Sequence, residues 1–187
     1  SAPKEQEIRR QVDKMLELNV IETSTATEYS QVLLAPKPDG QWRFCIDFRR
    51  ANDASGGRAW PIPIIMQMLL RIGQQRPKWF AKLDMTSGYH QAPLEENSRY
   101  ISAFICFIGI FQWLRVPMGL KGAGAYFQQM MATVVLVGLM YTICELYIDD
   151  VIIPATTEDE FIIRIKKVLA RFRRFNVTVN PKKCDFG

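Results

Sequence analysis

Two adjacent carboxylates interrupt a segment that otherwise favours a buried β-strand. In residues 145–153, which read ELYIDDVII, Asp149 and Asp150 lie among isoleucine, valine, leucine and tyrosine residues typical of strands. Burying an unpaired charge is costly unless a partner or a metal compensates it. The chain therefore either turns sharply towards water at this point or holds a cation there, and both can be true together.

The remaining hydrophobic patterns alternate between helical spacing and short strands bounded by turn residues. Apolar spacing predicts helices over residues 4–18, 64–70, 122–136 and 158–175. Strand and turn signals predict a hairpin around Pro38-Asp39-Gly40, a strand ending at Asp84, a hairpin over 100–115, strands on both sides of Asp149-Asp150, and a final strand beginning at 177–179. Residues 51–63 have the composition of a loop. Hairpin-joined strands mixed with helices predict the α+β class with an antiparallel sheet.

Composition narrows the possible partners and cofactors. The 187 residues suit one domain, with room for a subdomain, and the net charge of +5 favours a polyanionic partner. The four cysteines form no C-x-x-C pair and His90 is the only histidine, which argues against a zinc site or a disulfide framework. The sequence contains neither an apolar run of about 20 residues nor a secretion signal, so we expect an intracellular protein without membrane contact.

The aspartates form a candidate metal site. A tight hairpin at Asp149-Asp150 presents oxygen ligands at the rim of a sheet, and Asp84 closes another apolar strand. Carboxylates at neighbouring strand ends suit Mg²⁺, and two ions ~3.5–4 Å apart can lower the barrier to in-line displacement at phosphorus. The alternative is that Asp-Asp is only a turn signal and Asp84 a helix cap. Spacing alone leaves both interpretations open.

Four further segments accompany the YIDD motif. They are KLDMTSGYHQ (82–91), KPDGQWRFCIDFRRAND (37–53), FQWLRVPMGLKGAGAYFQ (111–128) and NPKKCDF (180–186). In order and spacing, over nearly the whole chain, these segments resemble the reverse transcriptases of gypsy-type long-terminal-repeat retrotransposons, which are related to the retroviral enzymes. The resemblance implies a right-hand polymerase, with fingers at about 1–83 and an interleaved palm at about 84–187. It places the thumb, the connection and the ribonuclease H domain outside this chain.

The resemblance also implies an activity and its cofactors. An RNA-directed DNA polymerase joins the 3′-hydroxyl of a primer to the α-phosphate of a deoxynucleoside triphosphate, on an RNA or DNA template. Asp84, Asp149 and Asp150 match the ligands of two Mg²⁺ ions, for which Mn²⁺ can substitute, and the backbone carbonyl of Met85 matches a further ligand. The expected partner protein is the remainder of a polyprotein, and the expected location is the cytoplasm or a virus-like particle.

The resemblance assigns further residues to substrate binding. Lys37 and Arg43 match basic residues that bind the triphosphate, with ordinary surface charge as the alternative. Tyr89 matches the aromatic residue beneath the sugar that excludes a 2′-hydroxyl, with a core aromatic as the alternative. Met118 lines the nucleotide pocket by packing. Arg49 and Asn52 correspond more weakly to residues that contact the template, and we interpret His90, which follows Tyr89, as structural.

Several positions depart from the pattern of the family. Relatives usually have Asn-Ala-Pro-Ala before the Phe-Gln pair at 127–128, whereas this chain has Gly122-Ala123-Gly124-Ala125. Two glycines inside a helix would weaken it, by ~1 kcal/mol each relative to alanine. Acidic residues expected near position 66 are replaced by Met66-Gln67. These departures support an alternative, an inactive or repurposed domain that binds nucleic acid or protein, while the intact aspartates favour the polymerase.

Overall fold

A computed structural model describes residues 2–38, 40–56, 60–86 and 88–187 of the chain. The predicted turn residue Asp39 and part of the predicted loop, residues 57–59, lie outside the described residues. No helix within the described ranges is both long enough and apolar enough to span a membrane.

Helices and strands alternate along the chain, as the sequence pattern indicated. The helices are α1 (Ala2–Glu17), α2 (Arg49–Ala54), α3 (Ile65–Gln74), α4 (Ala123–Met130) and α5 (Glu158–Arg174). The strands are β1 (Ile21–Thr23), β2 (Ser30–Pro36), β3 (Trp42–Ile46), β4 (Trp79–Asp84), β5 (Phe104–Cys106), β6 (Gly109–Trp113), β7 (Glu145–Tyr147), β8 (Asp150–Ala155) and β9 (Asp185–Phe186). Short 3-10 segments cover Gly88–Gln91, Glu96–Ser102 and Pro181–Lys183, and a π-helical turn follows α4 at Met131–Val135.

The chain forms two compact units, and it contributes two segments to each. The first unit comprises Ser1–Gly57 and Ala92–Ala123, and the second comprises Arg58–Gln91 and Gly124–Gly187. Strand β4, which ends at Asp84, therefore belongs to the same unit as the β7–β8 hairpin. The division into fingers and palm near residue 83 stays a prediction.

The first unit is built on a five-stranded sheet with the order β1-β6-β5-β2-β3. Strands β2 and β5 run parallel, and the other neighbouring pairs are antiparallel. Helix α1 buries Val12 within the hydrophobic core. The buried members of this core are Val12, Ile21, Phe48, Phe104, Phe111 and Trp113. The alternation of apolar residues along β5 and β6 thus directs the large rings inward.

The second unit contains an antiparallel sheet with the order β7-β8-β4-β9, and helix α5 packs on β8 and β4. The helix buries Phe161, Val168 and Phe172. On β4, Ala81 and Leu83 are buried, whereas Lys82 and Asp84 have their side chains on the opposite face. Period-two alternation therefore places Asp84 on the sheet face away from α5.

Two predictions of secondary structure are wrong. Residues 49–54 form helix α2, although the sequence from 51 onwards indicated a loop. This short helix is held by tertiary hydrogen bonds, because the side chain of Asn52 binds the backbone of Gly119 and Lys121. Residues 177–179 form no strand of their own, and Val179 makes only an isolated bridge to Met85. The edge of the sheet is instead completed by β9, which pairs with β4.

The glycines before the Phe-Gln pair do not both lie in a helix. Gly122 precedes α4 and has a φ of 81°, so the cost expected for a glycine inside the helix applies to Gly124 and not to Gly122. An L-residue with a Cβ is disfavoured in this left-handed conformation by about 1–2 kcal/mol, although asparagine tolerates it.

We expect the Gly122→Ala substitution to lower the free energy of unfolding by about 1 kcal/mol. Chemical denaturation of the two proteins measures the difference. Gly122→Asn is the control, and it should remain close to the parent protein. An alanine variant that is as stable as the parent would contradict this account of the turn.

Candidate active site

The two adjacent aspartates lie at the turn of the β7–β8 hairpin. Tyr147 pairs with Asp150, so Ile148 and Asp149 form the turn between the strands. Ile148 has a φ of 57°, which is unusual for a β-branched residue and costs conformational energy. The sharp turn predicted from the sequence is confirmed, and the surrounding structure must hold it in this strained form.

The third aspartate lies on β4, the strand next to β8 of the hairpin. Asp84 pairs with Asp150 in the register of β4 and β8, so the two side chains are on the same face. Lys82 shares this face, and its Nζ lies 3.5 Å from Oδ1 of Asp150. Partial burial is the main reason that the pKa of Asp150 is raised, and the charges of Asp149 and Asp84 raise it further while Lys82 opposes the shift. The fold therefore brings together three carboxylate side chains and one ammonium group.

The type of donor at this edge suits a divalent metal. Carboxylate oxygens are the ligands that Mg²⁺ prefers. Within the described part of the chain, however, no three His, Cys, Asp or Glu side chains are already arranged to hold an ion. Asp150 is oriented towards Lys82 instead. The residues fit a metal in chemistry and in backbone placement, and side-chain rotation would be needed to gather their oxygen atoms.

Backbone geometry also defines the position of Met85. The carbonyl of Asp84 accepts a hydrogen bond from the Asn180 N–H, and the N–H of Thr86 donates to the carbonyl of Thr178. Successive residues of a strand direct their backbone groups to opposite sides, so the carbonyl of Met85 is directed towards the β8 side. Its role as a metal ligand stays a prediction.

Tyr89 lies in the 3-10 segment beside the aspartate hairpin. Gly88 packs closely there, since a Cβ at this position would lie 3.5 Å from Cβ of Asp149. The Tyr89 ring lies 5.4 Å from the ring of Phe127, measured between centroids. Burial raises the pKa of Tyr89, and the charge of Asp149 adds to the shift. Burial also lowers the pKa of the neighbouring His90, which favours its neutral form.

A buried glutamine holds the hairpin, and the sequence analysis did not assign it a role. Gln128, on α4, is only 2% exposed. Its Oε1 accepts a hydrogen bond of 2.7 Å from the N–H of Ile148, and its Nε2 donates to the carbonyl of Leu146 at 3.2 Å. Both ends of the amide therefore restrain the strained turn. The sequence signal that could have identified this role is a polar glutamine on a helix face that otherwise carries apolar residues.

We expect Gln128→Leu to reduce stability by about 1–3 kcal/mol, because it leaves two buried backbone groups without a partner. Nucleotide addition should fall further than the unfolded fraction explains, since the turn carries Asp149. Denaturation and primer extension at a temperature where the variant is folded would measure both effects. Gln129→Leu, on the same helix, is the matched control. Equal activity in the two variants would refute this role for Gln128.

The other predicted site residues belong to the first unit. Lys37 lies at the end of the β2–β3 hairpin, where its N–H donates to the carbonyl of Gln41, and Arg43 is exposed on β3. Neither side chain forms an ion pair with the acidic residues in the described ranges. Both charges are thus available to a ligand, and their contact with a triphosphate stays a prediction.

The remaining predicted site residues of the first unit either bind other protein groups or lie exposed. Arg49 donates two hydrogen bonds to the carboxylate of Asp47, at 2.8 and 2.6 Å, and holds the pKa of Asp47 at about 2. The side chain of Asn52 forms hydrogen bonds to the backbone of the segment that follows Met118. Met118 itself is 59% exposed. Template contacts of Arg49 and Asn52, and nucleotide packing of Met118, stay predictions.

Comparisons with known sequences assign the chain to a family. A family model described as reverse transcriptase (RNA-dependent DNA polymerase) matches residues 35–187. The chain is 34% identical to the retrovirus-related Pol polyprotein from transposon 412 of Drosophila melanogaster, over 97% of this chain and 15% of that protein. It is 30% identical to the Tf2-3 transposon polyprotein of Schizosaccharomyces pombe, over 98% of this chain and 14% of that protein. The chain thus spans only a small part of these relatives.

Solved structures share the fold of this chain. The crystal structure of the Prototype Foamy Virus protease-reverse transcriptase matches with a TM-score of 0.85 at 25% identity, over 94% of this chain and 23% of that chain. The foamy viral enzyme in complex with an RNA/DNA hybrid matches with a TM-score of 0.85 at 22% identity, over 98% of this chain and 24% of that chain, and supports the fold alone. The predicted α+β fold of reverse transcriptase fingers and palm is confirmed. The chain belongs to the reverse transcriptase (RNA-dependent DNA polymerase) family.

Proposed function

We propose that this chain is the polymerase core of a retrotransposon reverse transcriptase that adds deoxynucleotides to the 3′-hydroxyl of a primer. The observation that carries the proposal is the pairing of Asp84 with Asp150 across β4 and β8, with Asp149 at the adjoining turn. A domain that only binds a phosphate backbone has no need for clustered negative charge. Clustered carboxylates are useful where metal ions mediate contact with phosphates.

In this proposal the three aspartates hold two Mg²⁺ ions, and Mn²⁺ can replace them. Bound ions lower the pKa of the attacking hydroxyl and neutralise charge that develops on the phosphates. The protein contributes mainly by positioning its ligands and substrates. Gln128 and the β-sheet register hold the aspartate-bearing turn in place.

Residues beyond the aspartates are proposed to orient the nucleotide. Lys37 and Arg43 bind the triphosphate, for which the planar guanidinium offers paired donors to phosphate oxygens. The ring of Tyr89 lies beneath the sugar, Met118 packs against the nucleotide, and the Met85 carbonyl supplements the metal ligands. Arg49 and Asn52 contact the template. To contact the template, Arg49 must either keep its ion pair with Asp47 while it binds or break that ion pair.

The proposed substrates are a primed RNA or DNA template and deoxynucleoside triphosphates. A foamy viral relative of this fold has been solved with an RNA/DNA hybrid and with double-stranded DNA, which supports the choice. Because the chain spans about 15% of the transposon 412 polyprotein, we propose that other parts of a polyprotein are its natural partners. We place the activity inside the cell, in the cytoplasm or in virus-like particles.

Primer extension with Mg²⁺ or Mn²⁺ tests this function. The 187-residue chain should be compared with a longer polypeptide that contains it, on RNA and DNA templates. Template-dependent extension that requires the metal supports the proposal. Template binding without extension in either protein would favour the alternative, a repurposed binding domain. The ion pair between Lys82 and Asp150, which occupies one of the carboxylates, is the observation that keeps this alternative open.

We expect the 187-residue chain to bind primed template with an affinity that depends strongly on salt. Contacts to phosphate release counterions, so affinity should fall at least about tenfold between ~50 and ~200 mM salt. Fluorescence anisotropy across a salt series measures the slope. A Lys37→Ala and Arg43→Ala double variant should show a shallower slope. Tight binding that is insensitive to salt would contradict phosphate-dominated recognition.

A further inference from the structure

A buried carboxylate lies at the start of the strand that leads to the aspartate turn. Glu145 is the first residue of β7, and its side chain is 2% exposed. Ionised carboxylates are rarely buried without a partner, because loss of hydration is costly. The structure must therefore supply a compensating group at this point.

The compensating group is the guanidinium of Arg71, in the last turn of α3. Its Nε donates to Oε1 of Glu145 at 2.8 Å, and its Nη2 donates to Oε2 at 2.9 Å. Two parallel hydrogen bonds of this kind fix direction as well as distance. The guanidinium also lies over the ring of Tyr141, 4.8 Å from its centroid. Tyr141 has a φ of 69°, and its N–H donates to the carbonyl of Cys144, immediately before Glu145.

Strand β7 is therefore restrained at both ends by side chains from different helices. Arg71 holds Glu145 at its beginning, and Gln128 holds Leu146 and Ile148 at its end. The strand has only three residues, so it offers little length over which a displacement at Glu145 could be absorbed. A shift at its start would be transmitted to Asp149.

We propose that Arg71 and Glu145 are a positioning pair that sets the location of the aspartate turn for catalysis. This inference rests on the polymerase function proposed above. In this proposal the pair acts on the turn through β7 and not by direct contact with a substrate. An ion pair with a purely structural role can often be replaced by apolar residues of similar size without loss of stability. If the two hydrogen bonds set the position of the aspartate turn, that position should be lost when apolar residues replace the pair.

The test uses three variants in the chain and in the longer polypeptide used for primer extension. Arg71→Met removes the donor, and Arg71→Met combined with Glu145→Leu removes the charge as well. Arg10→Met is the matched control, because Arg10 makes a similar two-pronged bond to Glu7 on α1 of the first unit. Unfolding midpoint, kcat, KM for the nucleotide and backbone hydrogen exchange are measured for each protein.

We expect Arg71→Met to lower kcat at least about tenfold, since a displacement of ~1 Å can cost about a hundredfold in rate. The double variant should recover much of the unfolding midpoint, with kcat still at least about tenfold low and KM within about threefold of the parent. Arg10→Met should leave the unfolding midpoint close to that of the parent, and it should change kcat and KM by no more than about twofold. Recovery of kcat together with stability in the double variant would overturn the proposal.

Hydrogen exchange separates this inference from the polymerase function. If the parent protein extends no primer, the function fails, and exchange then decides the role of the pair. Faster exchange in Arg71→Met confined to residues 145–150 would support positional control of the turn. Exchange that rises equally throughout the second unit, or does not rise, would overturn it.

Discussion

Replacement of Asp149 by asparagine should reduce nucleotide addition at least about a hundredfold, as expected when one preorganised electrostatic group is lost. The amide keeps the shape of the side chain and removes the charge that holds metal. Asp84→Asn should behave in the same way, because Asp84 faces Asp150 across the sheet. Primer extension under single-turnover conditions, with metal titration, measures the loss.

The fold should survive these substitutions. Burial is the main reason that the pKa of Asp150 is raised, and the charges of Asp149 and Asp84 add to the shift, so each of these two charges disfavours the ionised form of Asp150. Removal of one charge therefore relieves repulsion, and the unfolding midpoint without metal should stay the same or rise. Asp159→Asn on α5 is the control and should retain activity. Extension within tenfold of the parent for Asp149→Asn or Asp84→Asn would refute the metal assignment.

Replacement of Tyr89 by alanine should raise ribonucleotide incorporation relative to deoxynucleotide incorporation by up to about a hundredfold. If the ring lies beneath the sugar, a 2′-hydroxyl must clash with it or displace the reacting atoms, and a displacement of ~1 Å carries a rate penalty of that order. The ratio of kcat/KM values for the two nucleotides measures discrimination. The close approach of Gly88 to Asp149 supports this placement, because it puts the segment that carries Tyr89 beside the aspartates.

Phenylalanine is the informative control at position 89. It keeps the ring and its packing on Phe127, so discrimination should be preserved if the role is steric. Loss of discrimination in the phenylalanine variant would indicate that the hydroxyl is required. An unchanged ratio in the alanine variant would mean that Tyr89 is a packing residue and that the gate lies elsewhere.

The family and the main elements could be predicted from the sequence. The YIDD motif and its four companion segments led to reverse transcriptase, and the matching family model confirms that assignment. Long amphipathic segments such as α1 and α5 were also identified, because their apolar residues repeat over several turns. The Asp-Gly and Asp-Asp pairs indicated hairpins from local conformational preference.

Elements that depend on distant partners were missed or misjudged. Helix α2 has too few residues for a periodic signal, and its stability comes from hydrogen bonds between Asn52 and the segment at 119–121. Gly122 was placed at the start of a helix because its backbone angle φ cannot be inferred from the sequence. Strand β9 pairs across a long sequence separation with β4, and local propensity does not encode such pairing.

For the candidate site, the sequence by itself determined which carboxylates are present and that a tight turn lies at the adjacent pair, because turn propensity is local. Only the tertiary structure decided what holds that turn in place. The amide of Gln128 binds the turn itself, the guanidinium of Arg71 binds Glu145 at the start of β7, and Lys82 approaches Asp150 along the sheet face. Such contacts join residues far apart in the chain, and their geometry depends on register and packing that exist only after folding.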